Sequence, residues 1–445
     1  MKPLKIRLAA MNFIEFAVWG AYLTSLGAYL SNVGLGSQIG WFYAVQGIVS
    51  IFMPAIVGII ADRWIPAQRM LSLCHLMAGA FMIAAGFYCY TAGSAVAFGP
   101  LFTLYTISVA FFMPTIGLAN SVCYNAMERA GMDTIKEFPP IRVLGTVGFI
   151  VAMLITNFTG FQNNFWQMVF SGGCSLIMVV YALTMPNCPV SKGGEKKGLV
   201  DALGLRAFAL FKDKSMAIFF IFSMLLGVSL QITNGFANPF ISSFARIPEF
   251  ANTWGSQNAN ALISLSQISE TLCILLIPFF LKRFGIKIVM FMAMLAWFLR
   301  FGFFGIGNPG SGIVFLILSM IVYGVAFDFF NVSGSLYVDQ KIDGSLRSSA
   351  QGLFMIMTNG IGATVGTLSA QAVVDKVVFT QPEGTMQYAQ GWSNAWLLFA
   401  GYALIVAILF WICFRNPNKD ENKLSNAEIK DIASKADDPA GDVIL

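Results

Sequence analysis

The chain has 445 residues, of which 57% are hydrophobic and only 11% are charged, with a formal net charge of +5. Soluble proteins carry about 25% charged residues, so this composition cannot provide a water-facing surface for a chain of this length. The sequence therefore excludes a soluble globular protein and indicates a molecule whose surface lies mostly in lipid.

Twelve apolar runs follow one another along the chain, each long enough to cross a hydrocarbon core of about 30 Å as a helix. Their limits are 8–30, 38–60, 70–91, 97–119, 139–158, 165–185, 215–239, 258–281, 286–306, 312–334, 349–373 and 392–414. The period-two alternation of a membrane β-barrel is not visible in these runs. We therefore expect an all-α membrane protein with twelve transmembrane helices in a lipid bilayer.

A long polar connection divides the chain into two sets of six spans. We expect an N-terminal six-helix bundle at 1–185, a cytoplasmic linker at 186–214, a C-terminal six-helix bundle at 215–414 and a cytoplasmic tail at 415–445. The tail is polar and predicts a surface helix or disorder.

The basic residues set the orientation. The 27 Lys and Arg residues lie in the termini and in alternate loops, except for Arg246 and Lys376 in the opposite loops and Arg142 and Arg300 within spans. Because cytoplasmic loops carry the excess of Lys and Arg, both termini are expected in the cytoplasm. The positive net charge follows from this topology, so it gives no support to nucleic-acid binding.

The seven Cys residues are scattered without a CxxC pair, and His75 is the only histidine. Such cysteines are typical of buried, reduced, space-filling thiols, and one histidine cannot build a metal site. We expect no metal and no cofactor, and we interpret His75 as structural.

Two short basic loops occupy matching places in the two halves. The loop after the second span reads "GIIADRWIPAQRM", with Asp62 and Arg63, and the loop after the eighth reads "FFLKRFGIKIVM". The spacing of Gly58, Asp62 and Arg63 resembles the signature of the major facilitator superfamily, whose halves rock around a central site. The resemblance implies that Asp62 and Arg63 belong to a loop that switches with conformation.

Five charged residues fall inside the predicted spans, where a charge at the bilayer centre costs about 2.5–3.5 kcal/mol. They are Glu15, Arg142, Glu270, Arg300 and Asp328. Arg300 lies near the outer end of its span, where its side chain can extend to water, and we interpret it as structural. Glu15, near the start of the first span, fits either a helix-packing role or a proton site. The other three are candidates for a central site, because such charges usually face a water-filled cavity or a partner.

Polar and aromatic residues of the spans recur at helical spacing, which places each set near one helix face. The sets are Arg142, Thr146 and Phe149; Gln231 and Asn234; Gln267 and Glu270; and Tyr323, Phe327 and Asn331, with Asp328 one residue after Phe327. Amides offer paired donors and acceptors, as sugar hydroxyls and base edges require, and aromatic faces stack planar rings. Each amide also has a plainer interpretation, since membrane amides often bridge helices. The sets favour a neutral, partly aromatic, polyhydroxylated solute.

Long blocks of the sequence are similar to the nucleoside:proton symporter family of the major facilitator superfamily. These blocks are "FPPIRVLGTVGF", "AIFFIFSMLLGVSLQITN", "SLSQISETL", "SMIVYGVAFDFFNVSG" and "SAQGLFMIMTNG". The resemblance implies substrate contacts from Arg142, Thr146, Phe149, Gln231, Asn234, Gln267, Glu270, Tyr323 and Phe327. It also implies that Asp328 couples transport to protons. The family pattern has an amide where this chain has Glu15, which would add a second titrating group or change the stoichiometry.

These observations predict proton-coupled uptake of purine and pyrimidine nucleosides by a monomer through alternating access. Asp328, with Glu270, would take the proton, because desolvation favours the neutral form of a carboxylate. The alternatives are a proton-coupled sugar or oligosaccharide symporter, an exporter, or a nucleoside-binding membrane sensor that signals through its tail. We expect no enzyme, because no nucleophile–base pair or metal cluster is visible.

Overall fold

The computed structural model describes residues 2–188, 205–342 and 347–415, and this part of the chain is helical without a β-strand. The helices are α1 (Lys2–Gly20), α2 (Leu26–Asn32), α3 (Ile39–Arg63), α4 (Ala67–Ala92), α5 (Phe98–Arg129), α6 (Thr134–Phe158), α7 (Trp166–Leu183), α8 (Lys214–Ser243), α9 (Ala259–Ile274), α10 (Ile277–Ile306), α11 (Ile313–Lys341), α12 (Arg347–Met355), α13 (Ala363–Val377) and α14 (Met386–Cys413). A π-helical segment, Ile356–Gly362, joins α12 to α13. Short helical turns lie at Gly36–Gln38, Phe161–Asn163, Leu205–Lys212, Phe244–Arg246 and Trp254–Gln257.

The all-α prediction is confirmed for these residues, and ten helical segments among them are long and apolar enough to cross a membrane. Two predicted spans differ in detail. The first is divided, because α1 ends at Gly20 and α2 begins at Leu26 after a turn. The eighth is shared between α9 and the start of α10, and α10 then continues through the predicted loop with a left-handed backbone at Gly285. Glycine adopts that conformation without steric cost, which lets the helix direction change there.

Part of the predicted organisation lies outside the described residues. This applies to 189–204 of the linker, to 416–445 of the tail and to the side chain of Asp62. Arg63 ends α3 and is exposed.

Large apolar side chains cover much of the outer surface. Leu275 is 72% exposed, Ile412 is 70% exposed and Val180 is 67% exposed. An aqueous surface rarely presents so much contiguous apolar area, whereas lipid tails accept it without cost. The exposure pattern therefore agrees with a surface that faces lipid.

Helices pack mainly with others from the same half of the chain. In the first half, α1 packs against α6 and α7, while α4 packs against α5 and α7. In the second half, α10 packs against α11 and α14, while α9 packs against α11. The halves meet through α3 with α13, α6 with α9 and α2 with α8.

Two helix crossings are close because they contain glycine. A Cβ at Gly148 of α6 would lie 2.1 Å from the carbonyl oxygen of Phe13 on α1, and one at Gly227 of α8 would lie 2.1 Å from the carbonyl oxygen of Thr358. Small residues let membrane helices approach to backbone contact. The first crossing fixes α6, which carries Arg142, against α1.

Candidate functional site

A small cavity lies where α8, α9, α10 and α11 converge with the turn between α1 and α2. Its lining residues are Thr24, Thr233, Asn234, Ile263, Ser266, Gln267, Arg300 and Tyr323. Three of the predicted site residues, Asn234, Gln267 and Tyr323, are therefore in its wall. Thr24 is the contribution of the N-terminal half, so the cavity is formed by both halves.

The predicted amides lie beside one another. Asn234 Nδ2 donates to Gln231 Oε1 at 3.3 Å, one turn away on α8. Gln267 on α9 and Tyr323 on α11 both line the cavity, and their side chains interact. The contact on α8 follows from helical spacing in the sequence, whereas Gln267 and Tyr323 are distant in the chain. Together these groups present donors and acceptors towards the cavity.

Two aromatic rings on α11 form a parallel pair. The rings of Tyr323 and Phe327 have centroids 5.9 Å apart and planes within 1° of each other. Trp297 packs edge-on against Tyr323 at 6.0 Å, which holds that ring in place. A parallel aromatic pair offers flat faces on which a planar ring can stack.

Both candidate carboxylates interact electrostatically with the same two residues. Asp328 is buried at 5% exposure, and its charge acts on Tyr323 and on Cys273. The carboxylate of Glu270 acts on the same two groups. Neither acid is among the lining residues of the cavity in the described part of the chain. Both carboxylates are therefore electrostatically coupled to Tyr323, which lines the cavity.

Arg142 brings a positive charge from the first half to this cluster. Its guanidinium lies 3.8 Å from the centroid of the Phe16 ring on α1. It also interacts electrostatically with Glu270 on α9, across the contact between α6 and α9. The interaction of Arg142 with a carboxylate therefore joins the two halves of the molecule.

The remaining predicted residues of α6 lie further from the cavity. Phe149 is 7% exposed and packs edge-on against Trp19 at a centroid distance of 6.3 Å. Thr146 is half-buried, one turn after Arg142. The indole of Trp19 in turn donates to Gln46 Oε1 at 3.4 Å. The described contacts therefore place Phe149 in the core of the first half.

The extension of Arg300 to water is contradicted, whereas its structural role stays a prediction. Its side chain is 1% exposed and does not extend to water. Its Nη1 donates to the Ser319 carbonyl oxygen at 2.7 Å, and the guanidinium lies 4.5 Å from the Tyr323 ring centroid. The backbone carbonyl of α11 and the ring together satisfy a charge that would otherwise need water.

Sequence reasoning missed the hydroxyl residues of the cavity. Thr24, Thr233 and Ser266 line it, and the latter two accept from Arg300 at 3.4 and 3.3 Å. Ser and Thr in membrane helices usually bond to their own backbone, so their spacing carries no signal for a site. The one indication in the sequence of these hydroxyl partners was the position of Arg300 within an apolar span, since its donors require acceptors nearby.

Comparison with known proteins then identifies the family. Residues 1–419 match the family model described as Nucleoside H+ symporter. The chain belongs to this family. It is 46% identical over 427 residues to the xanthosine permease of Escherichia coli (strain K12), covering 95% of this chain and 99% of that protein. It is 44% identical over 416 residues to the nucleoside permease NupG of the same organism, covering 93% and 96%.

Solved structures agree with this membership of the nucleoside H+ symporter family. The crystal structure of the nucleoside transporter NupG matches with a TM-score of 0.84 at 43% identity, covering 93% of this chain and 100% of that chain. A peptide transporter of the POT family matches with a TM-score of 0.67 at 13% identity, which shows the shared fold alone. The relatives of this chain are permeases, so the chain is a membrane transporter and not an enzyme.

Proposed function

We propose that this protein carries purine and pyrimidine nucleosides into the cell together with protons, by alternating access. The observation that carries the proposal is the family match over residues 1–419, joined to a cavity whose wall combines amides with an aromatic ring. The relatives named for xanthosine and for nucleosides support this substrate class.

The proposed architecture has twelve transmembrane helices in two six-helix bundles, at 1–185 and 215–414. Both termini face the cytoplasm, and the membrane is the bacterial inner membrane. The span pattern and the distribution of Lys and Arg support this arrangement. The preference of helices for partners within their own half agrees with it.

The nucleoside base stacks on the pair formed by Tyr323 and Phe327, because these rings are parallel and one of them lines the cavity. Gln231, Asn234 and Gln267 bind ribose hydroxyls and base edges, since their amides supply both donors and acceptors there.

Charged groups and the N-terminal half complete the proposed site. Glu270 and Arg142 attract each other electrostatically across the two halves. A substrate oxygen that binds Arg142 would change that attraction. When the halves move, Thr146 and Phe149 on α6 contact the nucleoside.

The proton binds to the carboxylate group of Asp328, with Glu270 as its neighbour. A neutral acid can be occluded in the membrane at a much smaller cost than a carboxylate. One proton that crosses 100 mV contributes about 2.3 kcal/mol. At about 1.4 kcal/mol per factor of ten, this supports roughly 40-fold accumulation of a neutral solute.

Contacts between the halves support alternating access. Asn157 Nδ2 donates to Asn258 Oδ1 at 2.8 Å, Gln162 donates to the Gln257 carbonyl oxygen at 3.1 Å, and Arg246 donates to Asn32 Oδ1 at 2.7 Å. In the proposed orientation these residues lie at the outer face, so this conformation is closed to the outside. The loop of Asp62 and Arg63 lies at the opposite face and changes its contacts when the halves rock.

The test is uptake of labelled uridine by cells that lack their own nucleoside transporters, with and without a protonophore. We expect concentrative uptake that collapses with protonophore. Unlabelled purine and pyrimidine nucleosides compete, while free bases, ribose and disaccharides do not. Competition by disaccharides instead would favour a sugar symporter. Absence of uptake of any nucleoside by a well-expressed protein would overturn the proposal.

A further inference from the structure

A second group of titratable side chains lies in the N-terminal half, away from the cavity. Glu15 on α1 and His75 on α4 are both completely buried, with Glu15 Oε2 2.7 Å from His75 Nε2. Thr115 on α5 donates to Glu15 Oε1 at 2.5 Å. Ser175 on α7 lies 2.8 Å from His75 Nδ1. Side chains from four helices therefore meet at one buried carboxylate–imidazole pair.

The number of protons in this cluster depends on the tautomer of His75. We assign the single hydroxyl hydrogen of Ser175 to the His75 carbonyl oxygen at 3.0 Å, so that Ser175 Oγ accepts from His75 Nδ1–H. An imidazole with its hydrogen on Nδ1 has a lone pair on Nε2 unless it carries a second proton. Two lone pairs would face each other at 2.7 Å if no proton lay between His75 Nε2 and Glu15 Oε2. The tautomer assigned from these bonds therefore requires one bridging proton.

We propose that Glu15 and His75 form a second proton-binding site of this transporter, which holds one proton between Glu15 Oε2 and His75 Nε2. With this proton the pair is electrically neutral, either as imidazolium and carboxylate or as imidazole and carboxylic acid. Without it, a net negative charge remains in a buried position and the bond that joins α1 to α4 is lost. Occupancy of the site therefore stabilises the packing of α1 against α4.

The other titratable or charged groups near the pair come from three helices. Cys74 precedes His75 on α4, and the charge of Glu15 acts on it. Cys123 on α5 accepts from Asn12 on α1, one turn before Glu15, at 3.3 Å. Arg142 on α6 covers the ring of Phe16, the residue after Glu15. Arg142 also acts on Glu270, so it lies between this pair and the acids of the second half.

Because His75 is the only histidine, labelling with nitrogen-15 histidine gives a spectrum of one imidazole. We expect the purified wild-type protein to show a strongly downfield bridging proton correlated with Nε2, and a protonated Nδ1. The Nδ1 signal decides the tautomer, because a neutral ring with its only hydrogen on Nε2 would leave Nδ1 unprotonated. In Glu15→Gln the downfield proton is absent, because a neutral amide does not share a proton with Nε2 as a carboxylate does.

Glu137→Gln is the matched control, since Glu137 is a partly exposed carboxylate of the same half that pairs with Lys5. It should leave the His75 spectrum unchanged. If Glu15→Gln does not fold, the wild-type spectrum still decides, together with Thr115→Val, which should shift the bridging proton without removing it. A wild-type spectrum that lacks the bridging proton, or that shows an unprotonated Nδ1, would overturn the proposal. The His75 spectrum does not depend on uptake, so it tests the proton site whether or not the protein carries nucleosides.

Discussion

Glu15 and Asp328 are intramembrane carboxylates buried to a similar degree, at 0% and 5% exposure, but their neighbours differ. Glu15 is held by donors from two other helices, His75 on α4 and Thr115 on α5. Asp328 lies beside Tyr323, a ring that lines the cavity and stacks on Phe327.

The difference shows that burial alone does not assign a role to a membrane acid. A carboxylate whose oxygens are occupied by donors on neighbouring helices holds those helices together and keeps its proton in one place. A carboxylate behind a cavity wall changes its surroundings whenever the cavity fills or empties, so its proton can follow the substrate. We therefore place coupling at Asp328 and packing at Glu15. Three substitutions test the part of this contrast that concerns the cavity, and a fourth tests a contact between the two halves.

The largest effect is expected from Asp328→Asn, which removes the titrating group and leaves a side chain of the same shape. Accumulation of uridine should fall from roughly 40-fold to the outside concentration, because no proton would then be coupled to the movement. Steady-state uptake with and without a protonophore measures this.

Asp339→Asn is the control, because Asp339 lies on the same helix and accepts from Gln351 at 3.0 Å, far along the helix from the cavity. It should retain concentrative uptake. Accumulation that survives in Asp328→Asn would transfer coupling to Glu270 or to the Glu15–His75 pair.

A smaller loss is expected from Phe327→Ala, which removes one of the two parallel rings. Stacking of a base on an aromatic side chain is worth about 1–3 kcal/mol, so KM for uridine should rise by roughly 30-fold. Phe315→Ala on the same helix serves for comparison, since Phe315 faces outward at 38% exposure. Equal kinetics for the two variants would show that the ring pair does not bind the base.

Sequence reasoning succeeded where partners lie close together in the chain. The bond between Asn234 and Gln231 follows from helical spacing, as does the proximity of Tyr323 and Phe327. Several helix starts were predicted closely, as for α3, α5 and α7, because long apolar runs leave few other choices, whereas α5 extends to Arg129, well past its predicted limit. The break between α1 and α2 was missed, since residues 21–25 contain no proline or charge that would interrupt the apolar run.

Sequence reasoning failed where partners are distant in the chain. Glu15 and His75 are 60 residues apart, and nothing in either segment indicates that they meet. Arg300 was assigned to the outer surface because it lies near the end of an apolar run. The structure instead satisfies it through Ser319 on the next helix. Distance along a span predicts depth in the membrane, but helix rotation decides whether a side chain faces lipid or a neighbour.

A further change, Gln267→Leu, tests the amide wall. It removes an amide from the cavity wall and leaves the ligand with one hydrogen-bond partner fewer, which costs about 1.4 kcal/mol. We expect KM for uridine to rise about tenfold while the protein still accumulates its substrate, because the carboxylates are intact. Gln390→Leu, at an exposed glutamine that donates to Asn394, should leave KM unchanged. An unaltered KM in Gln267→Leu would assign Gln267 to helix bridging.

The smallest effect is expected from Asn258→Ala, which breaks the bond from Asn157 that joins the halves at the proposed outer face. That bond exists in this conformation and is lost when the face opens. Its removal should therefore favour the outward-open state by about 1 kcal/mol, or about fivefold. Spin labels at Thr159→Cys and Lys376→Cys, in a background that carries Cys413→Ser because Cys413 is exposed, would measure the separation of the two halves.

The longer distance should gain population in Asn258→Ala and remain unchanged in Asn394→Ala, whose asparagine bonds only within α14. Because neither asparagine touches the cavity or a carboxylate in the described contacts, the maximal accumulation of uridine should stay the same in both variants. A change in distance without a change in accumulation would separate the movement of the halves from proton coupling. Unchanged distances in Asn258→Ala would instead mean that the amide contacts follow closure of the outer face without stabilising it.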